Sequence, residues 1–379
     1  MSVHPIHPHA FPLSIGFLSP HNSLDRRAFS GSVFFAAQAL EATPSLKVRV
    51  LGEHRAPRRL DRLLRRKSQM PRIPDMDLSG LDAVVGMVAT PLLDELAAQS
   101  NIPFLHITDA TPAFLRESYG WAVPAEADHR EARVAGQAAM TIYTSDVMAA
   151  RAPADLGLPK LTASVLPFGV NFDHLPERCP EKPRLNRLNL LFVGLDWTRK
   201  GGDVAVAALD RLRADGVDAH LTVVGRCPAR HRDHSALTYA GFLNKNQPRD
   251  AAKLARLYQE AHLLLLPSRG DCTPIVVAEA MAHGTPVLAT EVGGIPAQIG
   301  GTGAGRILPL YSDPALWADT IRNMTQDSDT YGFLSDAAFE RSRTHFSWTA
   351  WAQGIRDIVG RLTHGVPARP RDQKAAVGQ

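Results

Sequence analysis

Cysteine is scarce in this chain. Cys179, Cys227 and Cys272 are the only three in 379 residues, far apart and without a CxxC pair. That spacing excludes a disulfide framework and a thiolate zinc site, and it suits a reducing cytoplasm. Long apolar runs are missing too: nothing approaches the roughly 18–20 residues that a membrane-spanning helix needs. The amino-terminal stretch MSVHPIHPHAF lacks the charged-then-apolar order of a secretory signal. A cytoplasmic protein, soluble or peripheral to a membrane, is the expectation. Two phosphate-binding signatures are absent as well, since Lys200 is followed by Gly201 and Gly202 where a Walker A loop requires Ser or Thr, and no GxGxxG occurs. There is no paired-aspartate motif for a divalent metal. His4, His7 and His9 stand in a proline-interrupted segment that reads as disordered rather than metal-binding.

What is present is an ordinary globular composition, 45% hydrophobic and 21% charged. A chain of 379 residues exceeds the usual single core, which predicts two domains of about 150–190 residues each. The net charge of +4 is local in origin: Arg55, Arg58, Arg59, Arg62, Arg65, Arg66, Lys67 and Arg72 crowd one stretch against only Glu53 and Asp61. This 55–72 stretch offers a patch for anionic lipid or an acidic acceptor. A solvated basic helix face is the other reading. No nucleic-acid partner is expected.

Short apolar segments at 13–18, 47–51, 83–86, 103–107, 140–144 and 163–166 alternate with helical patterns. The alternation predicts a parallel, doubly wound α/β sheet. Polar residues fall where strands hand over to helices: Phe29-Ser30-Gly31-Ser32 after the first, and Thr108-Asp109-Ala110-Thr111 after the fourth. Open α/β sheets place ligands at that edge. Gly31 permits a phosphate to approach backbone amides, unless Ser30 merely caps a helix. Asp109 is a ligand contact or, like Thr108, a cap, and His106 reads as a packed histidine. Pro176, Pro180 and Pro183 then crowd a polar linker. A second series of strands begins at 190–193 and continues at 220–225, just before Gly241, at 263–266 and at 287–290. Arg199 and Lys200, beside glycines and ahead of a helix, are suited to neutralise a diphosphate.

The stretch from Ser268 to Pro296 carries the densest chemistry. A four-leucine strand stopped by Pro267 feeds a loop and then a helix predicted over 274–283. Gly270, Asp271, Cys272 and Thr273 present backbone amides at the positive end of that helix, an arrangement that binds phosphate oxygens. An acid, seven residues and a second acid, Asp271 and Glu279, are followed by Ala280, Gly284, Pro286, Val287, Ala289, Thr290, Gly293, Gly294 and Pro296. This block resembles the signature of the retaining GT4-type glycosyltransferases of the GT-B fold. The 194–202 loop is similar to their FVGRxxxRKG stretch, and the FSG, TDAT and PFGVN stretches resemble one bacterial branch. Two residues depart from the pattern: Asp271 stands where Glu is usual, and Leu195 where Arg is usual.

The resemblance implies a GT-B architecture, with two Rossmann-like domains facing a central cleft. A first, acceptor-side domain would span 12–170, a linker 171–188, and a nucleotide-sugar-binding domain 189–343. A helix within 344–364 would cross back onto the first domain, and 365–379 would be a disordered tail. The implied enzyme is a retaining, metal-independent glycosyltransferase of hexosyltransferase type. It would move a sugar from a nucleotide diphosphate sugar to an unidentified glycan, lipid or small-molecule acceptor, with no cofactor beyond the donor. The implied catalytic residues are Asp271, Asp109 and Lys200. The implied donor-binding residues are Gly31, Arg199, Lys200, Gly225, Leu243, Cys272, Thr273, Pro274 and Glu279, with Glu279 on the ribose hydroxyls. The alternatives are a non-catalytic nucleotide-sugar-binding module, or an epimerase or phosphorylase on the same fold.

Overall fold

A computed structural model describes residues 12–52 and 73–363. His4, His7 and His9, the basic 55–72 stretch and the 365–379 tail lie outside the described residues. The first sheet holds β1 (Leu13–Leu18), β2 (Leu46–Leu51), β3 (Ala83–Met87), β4 (Phe104–Thr108), β5 (Met140–Tyr143) and β6 (Ala163–Val165), in the order β2-β1-β3-β4-β5-β6. The second holds β7 (Leu188–Gly194), β8 (Ala219–Gly225), β9 (Leu237–Gly241), β10 (Leu263–Leu266), β11 (Val287–Thr290) and β12 (Gly305–Leu308), in the order β12-β11-β10-β7-β8-β9. Every pairing is parallel.

Burial follows position in the sheet. Central strands are covered on both faces and read as unbroken apolar runs, as in β10, whose four leucines are fully buried. Edge strands break the pattern. β2 reads LKVRVL with its charged residues outward, which protects an unpaired edge. The four-residue β12 has an exposed Arg306 and no strand-like alternation, so no sequence pattern foretells it.

Strand order reverses between β1 and β3 in the first sheet and between β7 and β10 in the second. At such a switch point the following loops diverge and leave a crevice at the carboxyl ends of the strands. The helix Trp348–Thr363 lays Trp351, Ala352, Ile355, Ile358 and Val359 into the core formed by Ile15, Phe17, Val85, Leu105 and Ile142. A chain that has built the second sheet thus returns to complete the first domain. Burying each large apolar side chain contributes roughly 1.5–3 kcal/mol, so this crossing is a principal stabiliser of the domain pair. No helix among the described residues is long and apolar enough to cross a membrane.

Candidate active site

A cleft of about 1160 Å³ lies between the domains, lined from both sides by the loops that follow the strands. On the second-domain side, β7 leads to Asp196, whose Oδ1 accepts from the Arg199 amide at 3.1 Å and caps the single turn Trp197–Lys200. Trp197 drops into the core beneath and donates Nε1–H to Asp203 at 3.0 Å. Gly201 then adopts φ +75°, and a Cβ there would lie 2.0 Å from the Pro267 carbonyl oxygen. Only glycine lets this turn press against the exit of β10. That contact brings Lys200 to Asp271.

Lys200 Nζ lies 2.5 Å from Asp271 Oδ2, and Ser268 Oγ donates to the same oxygen at 2.9 Å. Arg199 Nη1 donates to the Gly270 carbonyl at 2.7 Å and stands 3.7 Å from Asp271 Oδ1. Its guanidinium also stacks 4.4 Å over the ring of Tyr119, which comes from the first domain. Two cations thus share one buried carboxylate, while Asp196 also accepts from Arg199 Nε at 3.3 Å. Leu195, where the expected arginine is missing, is exposed on the cleft wall, and so is Arg226 just after β8.

The loop after β10 enters the helix Ile275–Ala282 through Pro274, which occupies the cap position rather than the first turn. The amides of Gly270, Asp271 and Thr273 have no hydrogen-bond partner among the described residues. The Cys272 amide, expected to be free, donates to the Tyr119 hydroxyl at 3.0 Å. A partner contributed by the other domain leaves no trace in the local sequence. The Thr273 hydroxyl similarly meets Thr144 of the first domain.

Glu279 projects from that helix almost fully buried. Its Oε1 accepts from Lys245 Nζ at 2.6 Å, and its Oε2 accepts from the Tyr258 hydroxyl at 3.0 Å. Burial, reinforced by the Glu279 charge, pushes the Tyr258 phenol well above its ordinary value and keeps it a donor. Beneath, His283 donates Nδ1–H to the Glu279 carbonyl at 2.8 Å, and burial holds its pKa down to about 4.

The facing wall is sparser. Asp109 follows β4 half-buried, and no side chain among the described residues hydrogen-bonds its carboxylate. Desolvation, then the charges of Asp271 and Glu131, push its pKa up to about 6 against a lowering hydrogen bond from its own backbone. It is not a cap: Thr111 caps the helix Pro112–Tyr119 by accepting from the Phe114 amide at 3.2 Å. His106 is fully buried behind it, with Nε2 2.7 Å from Glu131 Oε1, and Thr90 Oγ1 donates to Glu131 Oε2 at 2.7 Å. Gly31, expected at the cleft, lies just beneath the surface that Ser30 and Ser32 form. Its role is conformational, since φ is +95° and a Cβ would meet the Arg26 carbonyl oxygen at 2.9 Å. Ser30 does not cap the helix Ser32–Glu41.

Asp109, Arg199, Lys200, Gly225, Leu243, Asp271, Cys272, Thr273, Pro274 and Glu279 therefore all line one cleft, and Gly31 alone is set back from it. Tyr119, Lys245 and Glu131 line it too, and the fully buried Tyr258 and Ser268 donate to Glu279 and Asp271; none of the five was legible as a site residue. Most are single polar residues far in sequence from the motifs, and Ser268, three residues before Asp271, has nothing in its spacing to set it apart from an ordinary loop serine.

Residues 187–327 match the family model described as glycosyl transferases group 1. The second domain belongs to that family. Curated relatives match over about a third to a half of the chain. Among them, the D-inositol 3-phosphate glycosyltransferase of Xylanimonas cellulosilytica is 31% identical over 187 residues, 48% of this chain and 44% of that one. The protein of the same name from Corynebacterium glutamicum is 35% identical over 177 residues, 44% and 42% of the two chains. The matches span from 30% to 46% of these relatives' own length. Solved structures show the fold across nearly the whole chain. Sucrose-phosphate synthase from Thermosynechococcus elongatus superposes with a TM-score of 0.69 at 18% identity, covering 93% of this chain and 100% of that one. Anabaena HepE, solved with UDP and glucose, gives 0.62 at 13% identity over 92% and 99%. The group 1 domain and the sheet that faces it form a GT-B fold.

Proposed function

We propose that this protein is a glycosyltransferase that takes a sugar from a nucleoside diphosphate sugar, with the donor held mainly by the group 1 domain and the acceptor against the first. The pairing of Lys200 with Asp271 across the β7/β10 switch point carries this reading. Beside it stand Arg199 and three amides that have no partner among the described residues, donors from which the oxygens of a diphosphate can accept. As the glycosidic bond breaks, charge grows on the departing diphosphate, and these fixed donors meet it without reorganising. They supply the charge that a divalent metal supplies in other transferases, which supports metal-independent transfer.

Glu279 is suited to the ribose, because each of its oxygens keeps a lone pair after the bonds to Lys245 and Tyr258. Asp109 faces the transferred sugar or the acceptor from the opposite wall. The proposed step forms a bond from the acceptor oxygen to the anomeric carbon on the face from which the diphosphate leaves. The bond from that carbon to the phosphate oxygen breaks, the hydroxyl proton passes to the departing phosphate, and configuration is retained. A neighbour solved with UDP and glucose and relatives named for transfer to inositol phosphate support a sugar-nucleotide donor. The charge of the 55–72 stretch supports a peripheral contact with anionic lipid.

The test is a thermal-shift comparison of UDP, GDP and ADP, followed by release of the matching nucleotide from a panel of donors with and without cell extract. One nucleotide should stabilise the protein, since stabilisation grows with the logarithm of ligand over Kd, and an acceptor should raise release. Stabilisation by none of the three would overturn the proposal. Binding without acceptor-stimulated release would favour a non-catalytic binding module. Transfer unchanged by EDTA, and a product with the donor's anomeric configuration, are expected.

A further inference from the structure

Lys245 lies in the loop between β9 and the helix Pro248–Glu260, two residues after Leu243, and its side chain was assigned no role from the sequence. Yet its ammonium reaches both domains at once. It stands 2.6 Å from Glu279 Oε1 and donates to the Ser30 carbonyl of the first domain at 3.3 Å, with its side chain 14% exposed on the cleft wall. We propose that Lys245 is a further donor-binding residue: it grips the ribose end of the nucleoside diphosphate beside Glu279 and, through Ser30, holds the first domain over the ligand. This rests on the glycosyl-transfer proposal above and extends it.

Three observations carry the inference. First, an ammonium has three N–H donors, and the structure occupies two, one on Glu279 and one on Ser30. The third has no acceptor among the described residues. A ribose hydroxyl that donates to Glu279 can accept from it, as can an oxygen of the adjoining phosphate. Second, the Ser30 carbonyl that Lys245 meets belongs to a strained turn at the cleft wall. Phe29 and Ser30 lie in the left-handed region at φ +48° and +57°, which disfavours residues with a Cβ. The Asn171 amide steadies this turn by donating to the same carbonyl at 3.0 Å. Third, the next residue ties the same two loops together: Asn246 Oδ1 accepts from the Arg26 amide at 2.9 Å, and its Nδ2 donates to Asp25 Oδ1 at 2.6 Å. The 245–246 segment therefore bridges the domains at the edge of the ribose site.

A division of labour follows. Lys200 with Asp271 serves the diphosphate end, and Lys245 with Glu279 serves the ribose end. Both lysines are held by acids, so neither must be ordered when the donor arrives.

The experiment measures affinity for the preferred nucleoside diphosphate and the corresponding monophosphate by calorimetry, on the full chain and its variants. Lys245→Gln removes the charge but keeps an N–H for Glu279, Lys245→Met removes both, and Lys200→Met is the reference. Lys245→Gln should weaken both nucleotides about tenfold or more, whereas Lys200→Met should weaken the diphosphate far more than the monophosphate. In turnover, Lys245→Gln should raise the donor KM with kcat nearly unchanged, and Lys245→Arg should recover most of the affinity. A folded Lys245→Gln that binds both nucleotides like the wild type would overturn the inference while leaving the transferase proposal intact. So would a loss confined to kcat. Wild-type protein that binds no nucleotide would instead remove the transferase proposal itself. If Lys245→Met fails to fold, Lys245→Gln and Lys245→Arg still decide the matter.

Discussion

On the wall of the cleft that the group 1 domain provides, Lys200, Arg199 and Lys245 are held by Asp271, Asp196 and Glu279, all within that domain. On the opposite wall, Asp109 has no side-chain partner among the described residues, and the Phe29–Gly31 loop is strained and held through its Ser30 carbonyl by Asn171 and Lys245. One wall has its charges positioned before any ligand arrives; the other offers shape and, in Asp109, an acid whose charge depends on pH. A wall that must meet a diphosphate benefits from fixed charge, because reorganising it during bond cleavage would raise the barrier. A wall that meets the acceptor can vary its loops while the scaffold stays the same.

The largest effect expected from breaking this asymmetry is at Lys200. Lys200→Ala removes one of two cations on the diphosphate and should lower kcat by roughly 100- to 1000-fold, with an unchanged circular-dichroism spectrum and melting curve. Activity within a factor of a few of wild type would take Lys200 out of the site.

The bracing itself has a pH signature. His283 underlies Glu279 and is neutral in the folded chain, its pKa held down from 6.5 to about 4 by burial. Below pH 6.5 the unfolded chain takes up a proton that the folded chain refuses, so this histidine's contribution to stability is lost as pH falls from about 6.5 to about 4. The shift corresponds to at most roughly 3 kcal/mol. In His283→Gln the melting temperature should fall less steeply over that window than in the wild type; parallel curves would show that the histidine is not the titrating group.

The smallest predicted effect sharpens the other wall. Asp109 is charged above a pKa of about 6, so if its carboxylate contacts the reacting sugar, kcat/KM should decline as pH falls through that value. Asp109→Asn should lower activity about tenfold at neutral pH and flatten that limb. A limb that persists in the variant would assign it to another group.

The two walls were also unequally legible. Lys200, Asp271 and Glu279 stand within nine residues of a strand end or of one another, and strand, turn and helix alone bring them together. Sequence spacing encodes that geometry. Tyr119 reaches the Cys272 amide across 153 positions, and Lys245 reaches Ser30 across 215. No local period records such contacts, so the supposedly free amide at Cys272 was misjudged and Lys245 went unseen. The strands at 13–18, 263–266 and 287–290 keep their expected bounds because apolar runs stop abruptly at polar or proline residues. β12 escaped because four residues at a sheet edge carry too little pattern.

The returning helix has a consequence for the order of assembly. Ile15 and Phe17 are among the earliest core residues to be synthesised, yet Trp351, Ile355 and Ile358 that cover them are made only after both sheets. The group 1 domain closes its own core from contiguous sequence, whereas the first domain waits with part of its apolar face uncovered until residues 348–363 emerge. Contacts of such long sequence separation form late. The half that begins translation first is therefore the half that finishes folding last, and that interval is when the chain is most exposed to aggregation.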